Sequence, residues 1–287
     1  MADFQKQTVQ WFPGHMAKTR RIIKQSLSLV DGVVEIIDAR IPMSSRNPEL
    51  DEIIGSKPRI ILLNKCDVAD ATATAMWVKY FTDKGLYAIP VDCRTGKGLN
   101  KFDSVVRQAL KCVIKRNEER GLAGKPLRLM VVGIPNTGKS SFINRMGRNA
   151  KAKVEDKAGV TRQNQWFVVG NGIELLDTPG VLWPKFEDRE VGDKLAFIGS
   201  VKDDITDRET LACRLLEVLA KLRPSAIEER YKITDVENLQ GWEILEKIGR
   251  KRGFLIKGGE IDYERTAMIV SDEYRGGKLG RITLELP

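Results

Sequence analysis

One histidine, His15, and four cysteines, Cys66, Cys93, Cys112 and Cys213, are all that the 287 residues offer of the common metal-binding side chains nitrogen and sulfur. The cysteines are scattered, with neither the short spacings of a metal site nor the framework of a disulfide-stapled domain, and they read as reduced cytosolic thiols. No apolar run approaches the roughly 18 residues of a membrane-spanning helix. The first ten residues are polar and lack the apolar core of a signal peptide, so a cytoplasmic protein with no membrane partner is expected. No internal repeat is present. Acidic residues are the minority charge: 39 Asp and Glu stand against 48 Lys and Arg, a net charge of +9. That excess favours an anionic partner such as RNA, DNA or an acidic surface without choosing among them, over the lesser alternative of simple solubility.

What is present begins with alternation. The length suits one substantial core plus a smaller domain. Residues 17–29 form a helix-like basic stretch, with Ile22, Ile23, Leu27 and Val30 spaced to face a core and Lys18, Arg20, Arg21 and Lys24 on the other faces. Strands are predicted over 33–38, 59–63 and 86–91, separated by a short helix ending at 54 and a helix over 70–82. One amphipathic helix is predicted over 101–116, followed by a polar connector to Pro126. From Lys111 to Arg128 that region carries six basic and two acidic residues. A strand at 127–132 leads to a helix from 141, and a hairpin pairs 166–169 with 173–176 across Gly170-Asn171-Gly172, where Asn-Gly supplies positive φ. Strands alternating with helices at these lengths predict a mostly parallel three-layer α/β sheet. Beyond residue 200 helices dominate: 207–222, with Leu211, Leu215, Val218 and Leu222 as the apolar face, then 226–231, 236–248 and 263–271. Ile282 and Leu284 alternate as in an edge strand. The expected domains are 1–195, α/β, and 196–287, mostly helical.

Three motifs carry chemistry, each directly after a predicted strand. Gly133-Ile134-Pro135-Asn136-Thr137-Gly138-Lys139-Ser140 matches G-x-x-x-x-G-K-[ST], a loop whose backbone N–H groups and following helix N-terminus cradle a polyphosphate. Lys139 is expected to reach the β and γ phosphates and the Ser140 hydroxyl to ligate Mg²⁺. Asp177, opening Asp177-Thr178-Pro179-Gly180, is placed to approach the same Mg²⁺, with the Gly180 N–H toward the γ-phosphate. Asn64-Lys65-Cys66-Asp67 is a base-reading element. A carboxylate accepts both N1–H and the exocyclic amine of guanine, a donor pair adenine lacks, so the nucleotide is GTP or its product GDP.

With these motifs the chain resembles the circularly permuted GTPases. Trp11-Phe12-Pro13-Gly14-His15-Met16, Asp38-Ala39-Arg40 with Ile41 to Pro48, Asn64-Lys65-x-Asp67, Gly133 to Ser140, and Asp177 to Gly180 followed by Val181-Leu182-Trp183-Pro184-Lys185-Phe186 all look like that family. In ordinary small GTPases the base-reading motif follows the other two; here it precedes both. The resemblance implies a circularly permuted P-loop GTPase domain with a C-terminal mostly helical domain. It implies that Thr161 completes the Mg²⁺ shell, that Asn136 serves a K⁺ ion, and that Asp92 and Cys93 form the guanine-backing loop. For Asn136 a plain turn role is an equal alternative.

Val181 and Leu182 stand where many GTPases carry a water-orienting glutamine, and neither side chain hydrogen-bonds water. The resemblance gives that role to His15, which by its own surroundings is a turn or capping residue. The family's partners are the large (50S) ribosomal subunit precursor and its rRNA, with no DNA expected. The implied function is a GTP-hydrolysing factor acting late in that subunit's assembly, its turnover stimulated by the subunit. The alternative is a GTP-regulated RNA-binding scaffold with negligible turnover.

Overall fold

The computed structural model describes residues 14–148, 165–178, 188–201 and 207–287, with side chains from residue 21 onward and that of 148 excepted. Two units are distinguished, one within Phe12–Pro184 together with Glu285–Pro287, the other within Lys185–Leu284. Trp11-Phe12-Pro13, Thr161, and Pro179 to Phe186 lie outside the described residues.

The first unit holds a six-stranded sheet: β1 (Gly32–Asp38), β2 (Arg59–Asn64), β3 (Tyr87–Pro90), β4 (Leu127–Val132), β5 (Gln165–Gly170) and β6 (Ile173–Asp177). Their order is β3-β2-β1-β4-β6-β5, parallel throughout except for the β5–β6 hairpin. The hairpin turns at Asn171 and Gly172, both at positive φ (50° and 72°).

Both faces of the sheet are covered, and for that reason the central strands read as near-continuous apolar runs. Val34, Ile36, Ile60, Leu62, Leu129 and Val131 point to one side, with Phe102 and Val106 of α4 (Phe102–Ala109) and Phe142 of α6 (Lys139–Arg148). Their odd-and-even neighbours point the other way. Val33, Met130 and Val132 meet Ile23 and Leu27 of α1 (Gly14–Leu27) and Leu50 and Ile54 of α2 (Glu49–Ile54). Ile37, Ile61 and Leu63 meet Trp77 and Phe81 of α3 (Ala71–Asp83). The three predicted layers are therefore present.

Some details differ from expectation. The predicted helix over 101–116 is interrupted at Leu110, which has φ −100° and ψ 16° and is fully buried, so the stretch divides into α4 and α5 (Lys111–Glu119). The connector is accordingly shorter, because α5 runs on to Glu119. The predicted tail strand at Ile282 and Leu284 is also absent: both side chains are buried, but the backbone there forms no sheet pairing.

The last residues of the first unit fasten a loop of the same unit. The Glu285 carboxylate accepts N–H groups from Met43 (2.8 Å) and Ser44 (3.1 Å) and the Ser44 hydroxyl, while its backbone carbonyl accepts Trp77 Nε1–H.

The second unit contains α7 (Arg189–Phe197), α8 (Arg208–Leu222), α9 (Pro224–Tyr231), α10 (Gly241–Arg252) and α11 (Tyr263–Arg275). Local chemistry sets the boundaries. Asp188, Asp207 and Asp262 cap α7, α8 and α11 with their carboxylates, and Gln240 with Glu243 forms a capping box on α10. Helix α8 is the spine, but its apolar face is rotated from the one predicted. Leu211, Leu215, Leu216 and Leu219 are buried, whereas Leu222 is 53 % exposed. Helix α10 approaches α8 closely at Gly241, where a Cβ would lie 2.2 Å from the Cys213 carbonyl oxygen. Among the described residues no helix is long and apolar enough to cross a membrane.

Candidate nucleotide-binding site

In an open parallel sheet, ligands bind beyond the carboxyl ends of strands where the chain's direction of winding reverses. Here that point lies between β1 and β4, and the loop following β4 is Gly133 to Gly138. The close approach it needs is built in. A Cβ on Gly133 would sit 2.6 Å from the Ile36 carbonyl oxygen of β1, and one on Gly138, at φ +100°, would sit 2.1 Å from Asn64 Nδ2. Asn136 also takes positive φ (63°) and is exposed. Thr137 is fully buried, its hydroxyl donating to the Ile134 carbonyl at 2.9 Å. Helix α6 starts at once, with Phe142 N–H bonded to the Gly138 carbonyl and no acidic residue in its first turn, leaving a positive helix end open to an anion.

Beside that end stand Lys139, Ser140 and Asp177. Lys139 Nζ is 3.9 Å from Asp177 Oδ1. Burial pulls the Lys139 ammonium down in pKa against the opposing pull of Asp177, and pushes the Asp177 carboxyl up against Lys139. Asp177 Oδ1 is buried without a hydrogen-bond partner among the described residues, which is what a carboxylate awaiting a hard cation looks like. The donor set of a hydroxyl and a carboxylate fits Mg²⁺. Among the described residues no group of three or more His, Cys, Asp or Glu forms a protein-only cage, so the remaining ligands of such an ion are phosphate and water oxygens. The following residue is fastened to the sheet, the Thr178 hydroxyl donating to the Val131 carbonyl at 2.6 Å.

The base-reading stretch leaves β2 next to this loop, and Asn64 joins the two. Its Nδ2 donates to the Thr137 carbonyl at 2.6 Å, and its Oδ1 accepts the Cys93 N–H at 2.9 Å. One buried carboxamide thus ties together three predicted segments, around residues 64, 93 and 137. Lys65 follows at φ +61°, its Nζ 3.0 Å from Asp38 Oδ2. Asp67 is partly exposed; Arg94 reaches its Oδ2 at 3.3 Å from an 81 % exposed side chain, a contact worth about 0–1 kcal/mol. The Asp92 carboxylate braces its own loop, accepting the Arg94 N–H and the Thr95 hydroxyl, while Cys93 is buried, with its thiol pushed up to about 12 by burial. Cys93 therefore contributes backbone, and Asp92 contributes turn geometry.

His15 is the second residue of α1, with its side chain outside the described set; Thr161 and Gly180 lie outside it altogether, as do Val181 and Leu182. Two contacts escaped sequence reasoning. Arg145 of α6 donates to the Thr95 carbonyl, linking the phosphate-loop helix to the 92–98 loop. Asp38 meets Lys65, and the clue for that pair was positional: both close adjacent strands of a predicted parallel sheet.

Comparison with known proteins agrees with this geometry. Residues 128–240 match the family model described as 50S ribosome-binding GTPase. Over 280 residues the chain is 44 % identical to ribosome biogenesis GTPase A of Bacillus cereus, covering 97 % of this chain and 94 % of that protein. With the protein of the same name from Priestia megaterium the identity is 46 % over 283 residues, covering 98 % and 97 %. The solved structure of GNP-bound YlqF from T. maritima superposes with a TM-score of 0.63 at 30 % identity, covering 94 % of this chain and 98 % of that one.

Proposed function

The chain belongs to the ribosome biogenesis GTPase A family, and from that premise we propose that this GTPase acts late in assembly of the large, 50S, ribosomal subunit. In this reading it engages the immature particle and its rRNA with GTP bound, and contact with the particle stimulates hydrolysis.

The observation that carries the nucleotide half is the Asn64 carboxamide, bonded at once to the phosphate loop and to the 92–98 loop. That bridge supports reading the base-recognition and phosphate-holding segments as one site although their order along the chain is permuted. Asp67 accepts guanine N1–H and the 2-amino group, backed by Asp92 and Cys93. The amides of Gly133, Thr137 and Gly138, with Lys139, hold the β and γ phosphates, and Gly180 adds an N–H at the γ end. Ser140, Thr161 and Asp177 are the residues to hold Mg²⁺, which when bound neutralises phosphate charge; Asn136 is the residue to serve K⁺. Val181 and Leu182 offer the attacking water no hydrogen bond, so His15 is assigned to position it.

Partner contact is assigned to two basic regions. One comprises α1 and the connector ahead of β4; the other is the helical unit, where Arg250, Lys251 and Arg252 close α10. Such residues supply phosphate contacts and salt-dependent affinity. A cytoplasmic location goes with this partner.

The deciding experiment measures GTP hydrolysis with and without purified large subunits, in potassium and then in sodium, together with co-sedimentation. His15→Ala is expected to keep GTP affinity within about twofold and to lower subunit-stimulated turnover roughly tenfold or more. Equal turnover in the two proteins removes His15 from the mechanism. No stimulation and no co-sedimentation removes the ribosomal partner.

A further inference from the structure

Asp38 and Arg40 have no part in the nucleotide chemistry described above, yet they form a buried ion pair at its edge. Asp38 is the last residue of β1 and is wholly buried; Arg40 is 1 % exposed. Arg40 covers both carboxylate oxygens. Its backbone N–H and Nε donate to Oδ1 at 3.0 and 2.9 Å, and Nη2 donates to Oδ2 at 2.8 Å. A carboxylate paired this completely has little need of a second cation, and burying one costs desolvation. Lys65 nevertheless brings its ammonium to within 3.0 Å of Oδ2.

The backbone of Lys65 explains why the contact matters. Its φ of +61° is unusual for a residue with a long side chain. It opens a short turn, closed by Val68 N–H on the Lys65 carbonyl, and that turn carries Asp67. On the upstream side Asn64 is locked by its bonds to Thr137 and Cys93, and Asp38 is its register partner in β1. Within the turn Cys66 N–H donates to the Val91 carbonyl at 3.2 Å, and the side chain of Lys65 adds a second tether, from the turn to the end of β1.

We propose that Asp38, clamped by Arg40, is a positioning residue for base recognition: it tethers Lys65 and so fixes the turn that aims the Asp67 carboxylate. This rests on the reading of Asn64 to Asp67 as the base-reading turn. Asp38 touches no nucleotide. It acts on specificity through Lys65, and it affects guanine selection more than phosphate binding.

The test is a double-mutant cycle on the full chain, with dissociation constants of GDP, IDP and ADP as readouts. IDP lacks the 2-amino group that Asp67 accepts and keeps the same diphosphate. Asp38→Asn is expected to weaken GDP binding about tenfold, within the range that coupled pairs show, with a smaller loss for IDP. In a Lys65→Met background the same substitution is expected to change GDP affinity less than about twofold. A fall in affinity that is equal for GDP and IDP, or fully additive with Lys65→Met, overturns the proposal and leaves Asp38 a plain structural residue. Should Asp38→Asn fail to fold, Asp38→Glu, which keeps the charge and moves the carboxylate one methylene along, is read by the same two criteria. Asp67→Asn separates the two levels. If it leaves the preference for GDP over ADP intact, the base-reading assignment itself fails; if it abolishes that preference while Asp38→Asn does not shift GDP against IDP, only the positioning role fails.

Discussion

The indole N–H of Trp77 donates to the backbone carbonyl of Glu285 at 2.9 Å, across 208 residues of sequence. The carboxylate of the same glutamate accepts the N–H groups of Met43 and Ser44, in the loop that follows Asp38 and Arg40. Glu285 therefore acts as an acceptor for the amides of Met43 and Ser44, for which no backbone acceptor is present among the described residues. Glu285→Ala is expected to destabilise the unit by about 1–3 kcal/mol, toward the low end because water reaches the exposed Met43. Urea unfolding followed by tryptophan fluorescence checks this, since Trp77 is itself buried. An unchanged midpoint would show that the loop holds itself.

Asp177 gives a prediction about cation binding that does not depend on turnover. Burial raises its carboxyl pKa, so the folded protein holds that proton more tightly than the unfolded chain, and on the proposed role of Asp177 as a ligand Mg²⁺ competes with it. Mg²⁺ affinity in the presence of GDP should therefore weaken as pH falls through the raised value. Asp177→Asn should lower Mg²⁺ affinity about ten- to a hundredfold and flatten that acid limb. Titration of a fluorescent GDP analogue with Mg²⁺ at several pH values reads both effects.

In the helical unit Arg230 Nε donates to Glu273 Oε2 at 3.0 Å, and Glu273 is 6 % exposed. Its hydrogen bonds from Arg230 hold the carboxyl below the ordinary value of 4.5, more than burial raises it. A depressed carboxyl pKa adds stability that is complete above the unfolded value and disappears as pH falls through the folded one. Glu273→Gln should cost about 1.5–3 kcal/mol at pH 7, and the gap from the parent should close as pH drops below about 4.5. Denaturant unfolding of both proteins across pH 3–7 checks the convergence. A gap constant with pH would mean that shape, not charge, is what the glutamine loses.

Helix α8 offers a pair of leucines three residues apart with opposite expectations. Leu219 is fully buried and Leu222 is 53 % exposed. Leu219→Ala should cost about 2–5 kcal/mol, and Leu222→Ala should stay within about 0.5 kcal/mol. Thermal or urea midpoints distinguish them at once, and equal losses would contradict the face on which α8 packs.

That same helix shows where the sequence was legible and where it was not. The apolar content and caps of α8 located the element, but Leu211 and Leu215 belong both to a stripe with Val218 and Leu222 and to a neighbouring one with Ala212, Leu216, Leu219 and Ala220. Only the helices packed against it select one. Leu110 is a comparable case: nothing in its chemistry breaks a helix, and the interruption there coincides with its full burial in the core. Helix α7 went unpredicted because its first turn, Arg189 to Gly192, is polar and glycine-containing. The central strands β1, β2 and β4 were read closely because burial on both faces makes them near-continuous apolar runs, and the charged residues within the sheet are paired: Glu35 with Arg46 and Arg59, and Arg128 of β4 with Glu174 of β6. In the candidate site the loops were visible as motifs, whereas the bonds between them were not. A motif states which groups a segment offers, and only the sheet order states which segment receives them.

The Asn64 bridge also bears on the order in which the protein is made. Asn64 leaves the ribosome with its strand early, and Cys93 follows soon after, but Thr137 is synthesised 73 residues later. At about 5–20 residues per second that interval is roughly 4–15 s. During it β1 lacks β4, its central neighbour in the sheet, and Asn64 Nδ2 lacks the carbonyl it bonds in the finished fold. In a GTPase with the usual motif order the phosphate-gripping part emerges first and base selection is added later. Here, on the proposed assignment of the two segments, the nascent chain carries the base-reading turn first, and the phosphate loop joins it only when β4 and the loop after it are inserted beside β1.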